Sequence, residues 1–190
     1  MNSSEQVGLA GIPVTELASP AVGLPAETGD SGEPRYAVKL ALPDGDPIGL
    51  ALPPQCQTEM VHGVSLCPIP NAPRWFVGML NLRGNLIPVF DVMASLLTNA
   101  PLAVQRAVLV IGTGDSAFAI LIPSEPELVF LSTREAVPEN TPAEVRVHTQ
   151  GAYRVDQALW LEFQFDRWIA QCFAGATRGR AVRRVSLLGT

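Results

Sequence analysis

Apolar and polar residues alternate along 36–42. Tyr36, Val38, Leu40 and Leu42 fall on one face, and this period of two predicts a half-buried strand. Pro43-Asp44-Gly45-Asp46 breaks the pattern as a turn, because proline presets φ and Asp-Gly tolerates positive φ. Ile48-Gly49-Leu50-Ala51-Leu52 returns as a second strand, closed by Pro53-Pro54. Residues 57–66 read as a third strand region, and 68–73, rich in proline, as an extended connector. Two apolar runs then flank Arg83-Gly84-Asn85. Gly-Asn is a two-residue hairpin signal of the II′ kind, which sets Arg83 opposite Leu86. Pro88 cannot donate a ladder hydrogen bond, so an edge strand or a bulge is expected there. Asp91 is placed to N-cap a short helix over 92–97.

Thr98-Asn99-Ala100-Pro101 interrupts the chain, and two strongly apolar runs follow, 107–111 and 117–122. Their lack of polar alternation predicts strands buried on both faces. Residues 127–131 form another strand and 132–150 a long loop, while 152–155 and 158–161 make a last hairpin around Asp156-Gln157. Phe165, Trp168, Ile169, Cys172 and Phe173 recur at helical spacing, the stripe of an amphipathic helix over 165–173. About nine or ten short strands with two short helices indicate a mostly-β barrel or sandwich, and the pattern alone leaves both open.

Composition changes the picture at the two ends. Residues 1–34 are rich in Ala, Gly, Pro, Ser and Glu, without sustained period, and carry five acids and no Lys or Arg. Such a segment buries too little to offset its ordering entropy, so 1–34 is expected as a disordered tail. It contains one small apolar cluster, Val7-Gly8-Leu9-Ala10-Gly11-Ile12, able to dock elsewhere. Residues 174–190, with Arg178, Arg180, Arg183 and Arg184 and no acid, are expected as a flexible tail. One folded unit over 35–173 lies between them.

The candidate chemistry excludes more than it supports. The net charge is −5, and the arginines are not interleaved with stacking aromatics, which argues against nucleic acid. No apolar run reaches 18 residues, so no membrane insertion is expected. The start Met1-Asn2-Ser3-Ser4-Glu5 lacks the pattern of a signal peptide, which points to the cytoplasm. Cys56, Cys67 and Cys172 are an odd number at spacings that suit no disulfide framework, and buried thiols are expected. His62 and His148 stand outside any metal-spaced cluster, and neither Ser65 nor Ser124 sits in a nucleophile motif. The expectation is a non-enzymatic protein without cofactor or metal.

Arg83 beside its turn is by itself an ordinary surface cation. Gly84 permits the turn, Asn81 either braces the hairpin or meets a partner, and Trp75, Phe76 and Met79 suit either a core or the centre of an interface. The run from Gly78 to Asp91 adds a second layer. Gly78, Asn81, Leu82, Arg83, Gly84, Ile87, Pro88, Val89 and Asp91 stand at the spacing G-x-x-N-L-R-G-x-x-I-P-V-x-D. This stretch resembles the signature of the CheW family, the adaptors of bacterial chemosensory arrays, and the resemblance covers about 35–173, densely only over 73–92.

The resemblance implies a fold of two small five-stranded SH3-like β-barrels side by side, with one or two short helices. It implies a scaffold coupling methyl-accepting chemoreceptors, at their cytoplasmic tip, to the regulatory domain of a CheA-type histidine kinase, recruited to membrane-associated arrays. Arg83, Asn81, Gly84 and Met79 become partner-binding residues, and Glu59 corresponds to the acidic residue usual in the third strand. This chain departs from the pattern at Pro123 and Ser124, where an aspartate is usual, and in its long tails. The departures suggest a divergent branch such as the adaptors controlling type IV pili and twitching motility. The alternative is a CheW-fold binding module without receptor coupling that works through its tails.

Overall fold

The structure, a computed structural model, describes residues 32–40, 42, 47–97 and 107–186, with side chains through 175. The turn at 43–46, the break at 98–101 and the apolar cluster at 7–12 lie outside the described residues. The chain opens with β1 (Glu33–Leu40) and β2 (Ile48–Ala51). It continues through β3 (Thr58–Val61), β4 (Leu66–Cys67), β5 (Phe76–Leu82), β6 (Asn85–Phe90), α1 (Val92–Leu96), β7 (Ala107–Ile111) and β8 (Phe118–Ile122). It closes with β9 (Glu127–Leu131), β10 (Arg134–Glu135), α2 (Ala143–Arg146), β11 (Thr149–Val155), β12 (Ala158–Phe163) and α3 (Phe165–Ser186).

These strands build two six-stranded sheets, β10-β11-β12-β2-β1-β9 and β3-β7-β8-β6-β5-β4. The expected count of five in each is exceeded by one short edge strand per sheet. β4 and β10 are two residues long, too short to leave a period, and Pro68 ends β4 because it has no N–H to give. The stretch 132–150, expected as a loop, thus holds β10 and the one-turn helix α2. The first sheet curls until β9 also packs on β11.

The period of two along each strand sorts its residues between cores. In β7, Val108 and Val110 enter a core inside the second sheet, while Ala107, Leu109 and Ile111 enter a larger core shared by both sheets. β8 divides likewise, with Ala119 and Leu121 on the inner side and Phe118, Ile120 and Ile122 in the shared core. This double burial accounts for their unbroken apolar runs. The first sheet mirrors the arrangement. Ala37, Ala51, Val129, Leu131 and Trp160 fill its inner core, and Val38, Leu50 and Leu161 face the shared one.

The helices close one side of the shared core. Asp91 accepts from the Ala94 N–H at 2.9 Å and caps α1, as its position predicts. Phe165 and Trp168 of α3 are buried, and the Trp168 indole N–H donates to Ser95 Oγ at 2.7 Å. Trp75 and Phe76 also pack on this core, so that part of the aromatic cluster is structural. The apolar stripe of α3 ends at Phe173, where the sequence predicts its end, yet the helix runs to Ser186. Residues 174–186 contain no proline, and Ala and Arg favour helix without needing a buried face. The expected boundary at 173/174 therefore falls inside α3.

Candidate partner-binding surface

The turn of the β5–β6 hairpin differs by one residue from the expected one. Leu82 pairs with Asn85 and Asn81 with Leu86, so Arg83 and Gly84 are the two central residues. Their φ values of 52° and 87° make a type I′ turn rather than a II′ turn at Gly84-Asn85. The I′ twist matches that of the flanking strands, which outweighs the cost of holding an arginine at positive φ, about 1–2 kcal/mol. Gly84 faces open space, so glycine is needed there for its φ alone. Asn81 Oδ1 accepts from the Gly84 N–H at 3.0 Å, which realises its bracing role while its side chain stays at the surface.

Pro88 sits on β6, an interior strand between β5 and β8, and not at an edge. Antiparallel partners alternate between bonded and non-bonded pairs, and Leu82 and Asn85 close the turn as a bonded pair. Counting from there, Met79 and Pro88 are a non-bonded pair, so the missing N–H is not needed by β5. On the other side the β8 ladder starts only at Val89. The irregularity lies next door on β5, between Phe76 and Gly78. Gly78 (φ 150°) lets β5 approach β4 closely, since a Cβ there would stand 2.4 Å from the Cys67 carbonyl oxygen.

The hairpin presents one apolar-to-polar face outward. Leu80, Leu82, Ile87 and Val89 point into the core of the second sheet. Met79, Asn81, Leu86 and Pro88 point the other way, and Leu86 is 67% exposed. Cys67, paired with Met79, extends this face and is itself exposed, contrary to the expectation of three buried thiols. An outward position on an edge strand leaves it uncovered. Cys56 and Cys172 are half-buried, and burial pushes both thiols up from their ordinary range.

Arg83 reaches from the turn to Glu59 on β3, the strand at the far edge of the sheet. Its Nη1 donates to Oε2 at 3.1 Å and its Nη2 to Oε1 at 3.0 Å, a fork-to-fork pair across the mouth of the curled sheet. The two side chains are 68% and 39% exposed, so the pair adds at most about 1 kcal/mol to stability. Its geometric effect is larger, because it fixes a guanidinium that still has three N–H donors to offer. Asn81, Arg83 and Gly84 thus share the turn, Glu59 joins through the ion pair, and Met79 lies farther down the outward face.

Sequence reasoning missed a second feature, a cavity of about 460 Å³ between α1, α2 and α3, lined among others by Trp75, Ser95, Val147, His148, Trp168 and Cys172. His148 is 3% exposed, and its burial, with the Arg167 charge, holds the imidazole below its ordinary pKa of 6.5. A lone histidine in a stretch without period carries no signal of this. Among the described residues no group of three or more His, Cys, Asp or Glu stands where it could hold a metal ion. Nor is any helix among them long and apolar enough to cross a membrane.

Comparison with known proteins bears on the whole arrangement. A comparison with curated proteins gives no match. Among solved structures, the scaffolding protein TtCheW from Thermoanaerobacter tengcongensis is similar in fold, with a TM-score of 0.55 at 20% identity, over 69% of this chain and 89% of that one. The model of the CheW-like domain matches residues 48–171, well over half of the sequence. With two curled sheets sharing one core and the hairpin signature at the mouth of one of them, the chain belongs to the CheW-like domain family, the non-enzymatic scaffolds of chemotaxis signalling.

Proposed function

We propose that this chain is the adaptor that couples methyl-accepting chemoreceptors to a CheA-type histidine kinase, acting by binding alone. The observation that carries the reading is Arg83, held outward on a left-handed turn by its two-bond pair with Glu59. A fork with donors to spare can bridge carboxylates or carbonyls of a partner in a way lysine cannot. Met79, Asn81 and Gly84 complete the contact surface, and the helical receptor tip is expected to dock between the barrels, a helix-in-groove mode. One barrel pairs with the kinase's own CheW-like regulatory domain. Coupling requires contacts that differ between the kinase-on and kinase-off states, since equal affinity for both shifts nothing. The adaptor works in the cytoplasm at receptor arrays. Pro123 and Ser124, at the place of the usual aspartate, favour a divergent branch that controls type IV pili.

Titration calorimetry against the regulatory domain of the cognate kinase tests this. Micromolar binding is expected, with receptor tip joining the complex, and Arg83→Glu is expected to lose receptor-dependent control of the kinase. No binding by a folded sample refutes the proposal. Loss of twitching on deletion of the gene, with swimming intact, tests the pilus assignment. The helical continuation of α3 to Ser186 favours one other reading, a module that binds through its ends. Removing residues 1–34 and 175–190 separates the two, because the adaptor reading expects kinase binding to survive.

A further inference from the structure

The cavity between the three helices lies apart from the hairpin surface and has an apolar interior that nothing among the described residues fills. Leu96 and the rings of Trp75 and Trp168 line it, and Val147 on its rim is 50% exposed. Phe173, 47% exposed, stands beside it with its ring 5.7 Å from that of Trp75. Apolar side chains clustered at a concavity of this size mark a binding place, and its volume is of the order that accepts a few side chains or a small molecule. Its charged surroundings narrow the choice of occupant. On α3, Arg167 precedes the lining residues Trp168, Gln171, Cys172 and Gly175. Arg178, Arg180, Arg183 and Arg184 follow them, and no acid occurs after Asp166.

We propose that this cavity is the docking site of the chain's own segment Val7-Gly8-Leu9-Ala10-Gly11-Ile12. The segment is uncharged and apolar, and it lies between Glu5 and Glu16, within a stretch that has four acids and no base before β1. An apolar centre flanked by acids thus meets an apolar cavity whose α3 lining residues are preceded by Arg167 and followed by four arginines in sequence. Glu144, the one acid among the lining residues, would face the uncharged part of the segment. Reach is sufficient. Roughly 20 residues separate Ile12 from β1 and span up to about 65 Å, against a domain radius of gyration of about 16 Å. Docking covers Val147 and Phe173 and ties the acidic end of the chain to its basic end, so it weakens as salt screens the charges.

Disulfide trapping in the full-length protein tests the proposal. Cys56→Ser and Cys67→Ser leave Cys172 in the cavity wall as the native thiol, and Leu9→Cys adds its partner. Under mild oxidation with diamide, an intramolecular disulfide is expected to form at least tenfold faster than in the same protein carrying Ile12→Asp, and several-fold slower at 0.5 M NaCl. Equal rates with and without Ile12→Asp, in samples shown folded by circular dichroism, overturn the proposal. Disulfide-linked dimers in place of the intramolecular product also overturn it, and assign the cavity to a second copy of the chain.

Discussion

Arg83 carries two costs that ordinary surface residues avoid. Its backbone is held at φ 52°, where asparagine or glycine is more comfortable, and its side chain is immobilised on Glu59. Arg83→Asn removes the guanidinium while suiting the turn, so the lost ion pair and the relieved strain nearly cancel. Unfolding in urea is expected to shift by less than about 1 kcal/mol, while the proposed receptor-dependent control of the kinase falls. A large loss of stability in that variant would mean that the pair holds the sheet shut. His148 predicts a pH effect of definite sign. Burial first, then Arg167, depresses its pKa below 6.5, so between the two values the unfolded chain binds a proton that the folded one refuses. Stability is therefore fully present above pH 6.5 and declines as pH falls through the depressed value. Melting temperatures followed from pH 8 to pH 5 are expected to show this slope, and His148→Gln to flatten it. Cys172, Glu144 and Gln171 line the same cavity, and the thiol stays neutral across that range because burial raises its pKa.

At the level of elements, the strands that were easiest to read are those with the most buried surface. β7 and β8 are apolar throughout because both of their faces meet a core, and their limits follow the apolar runs to within a residue. The cap of α1 and the β11–β12 hairpin, turning at Asp156-Gln157, were legible because each depends on a few adjacent residues. β4, β10 and α2 were not, since two to four residues leave no period and their pairing depends on strands distant in sequence. The parallel junction of β2 and β12 was equally silent, and it rests on a single glycine. Gly49 faces Trp160, and a Cβ there would lie 1.9 Å from its ring. Gly49→Ala is expected to cost about 1–3 kcal/mol in urea unfolding, by forcing the indole out of the inner core of the first sheet. Recovery of stability on pairing it with Trp160→Leu would confirm the clash.

Over the whole molecule, chain path and core composition make the two sheets one folding unit. β1 and β2 belong to the first sheet, β3 to β8 to the second, and β9 to β12 return to the first. Most of the largest fully buried side chains, among them Phe90, Leu50, Leu109, Ile120, Leu161 and Trp168, lie in the core common to both sheets. Neither sheet can lose its partner without exposing that layer. Unfolding followed by tryptophan fluorescence and by far-ultraviolet circular dichroism is expected to coincide in one transition. Ile120→Ala, with a loss of about 2–5 kcal/mol, should move both probes together. Two separated transitions would show that the sheets fold independently.

The longer strands, the α1 cap and the hairpin signature were readable from residues alone, because each is set by interactions within a few positions of the chain. The family resemblance rested on such a local run, and the CheW-like domain match over 48–171 agrees with it. The turn type escaped the local reading, because Arg83-Gly84 and Gly84-Asn85 are both acceptable pairs until the register that pairs Leu80 with Ile87 in the core chooses between them. Only the tertiary structure decided which face of each strand enters which core, and that Arg83 finds a carboxylate 24 residues away. It also brought Ser95 to Trp168 across 73 residues, at the edge of the cavity between the helices. Such meetings depend on register and on the curl of whole sheets. A sum of many weak packing choices determines those, and no single stretch of sequence displays it.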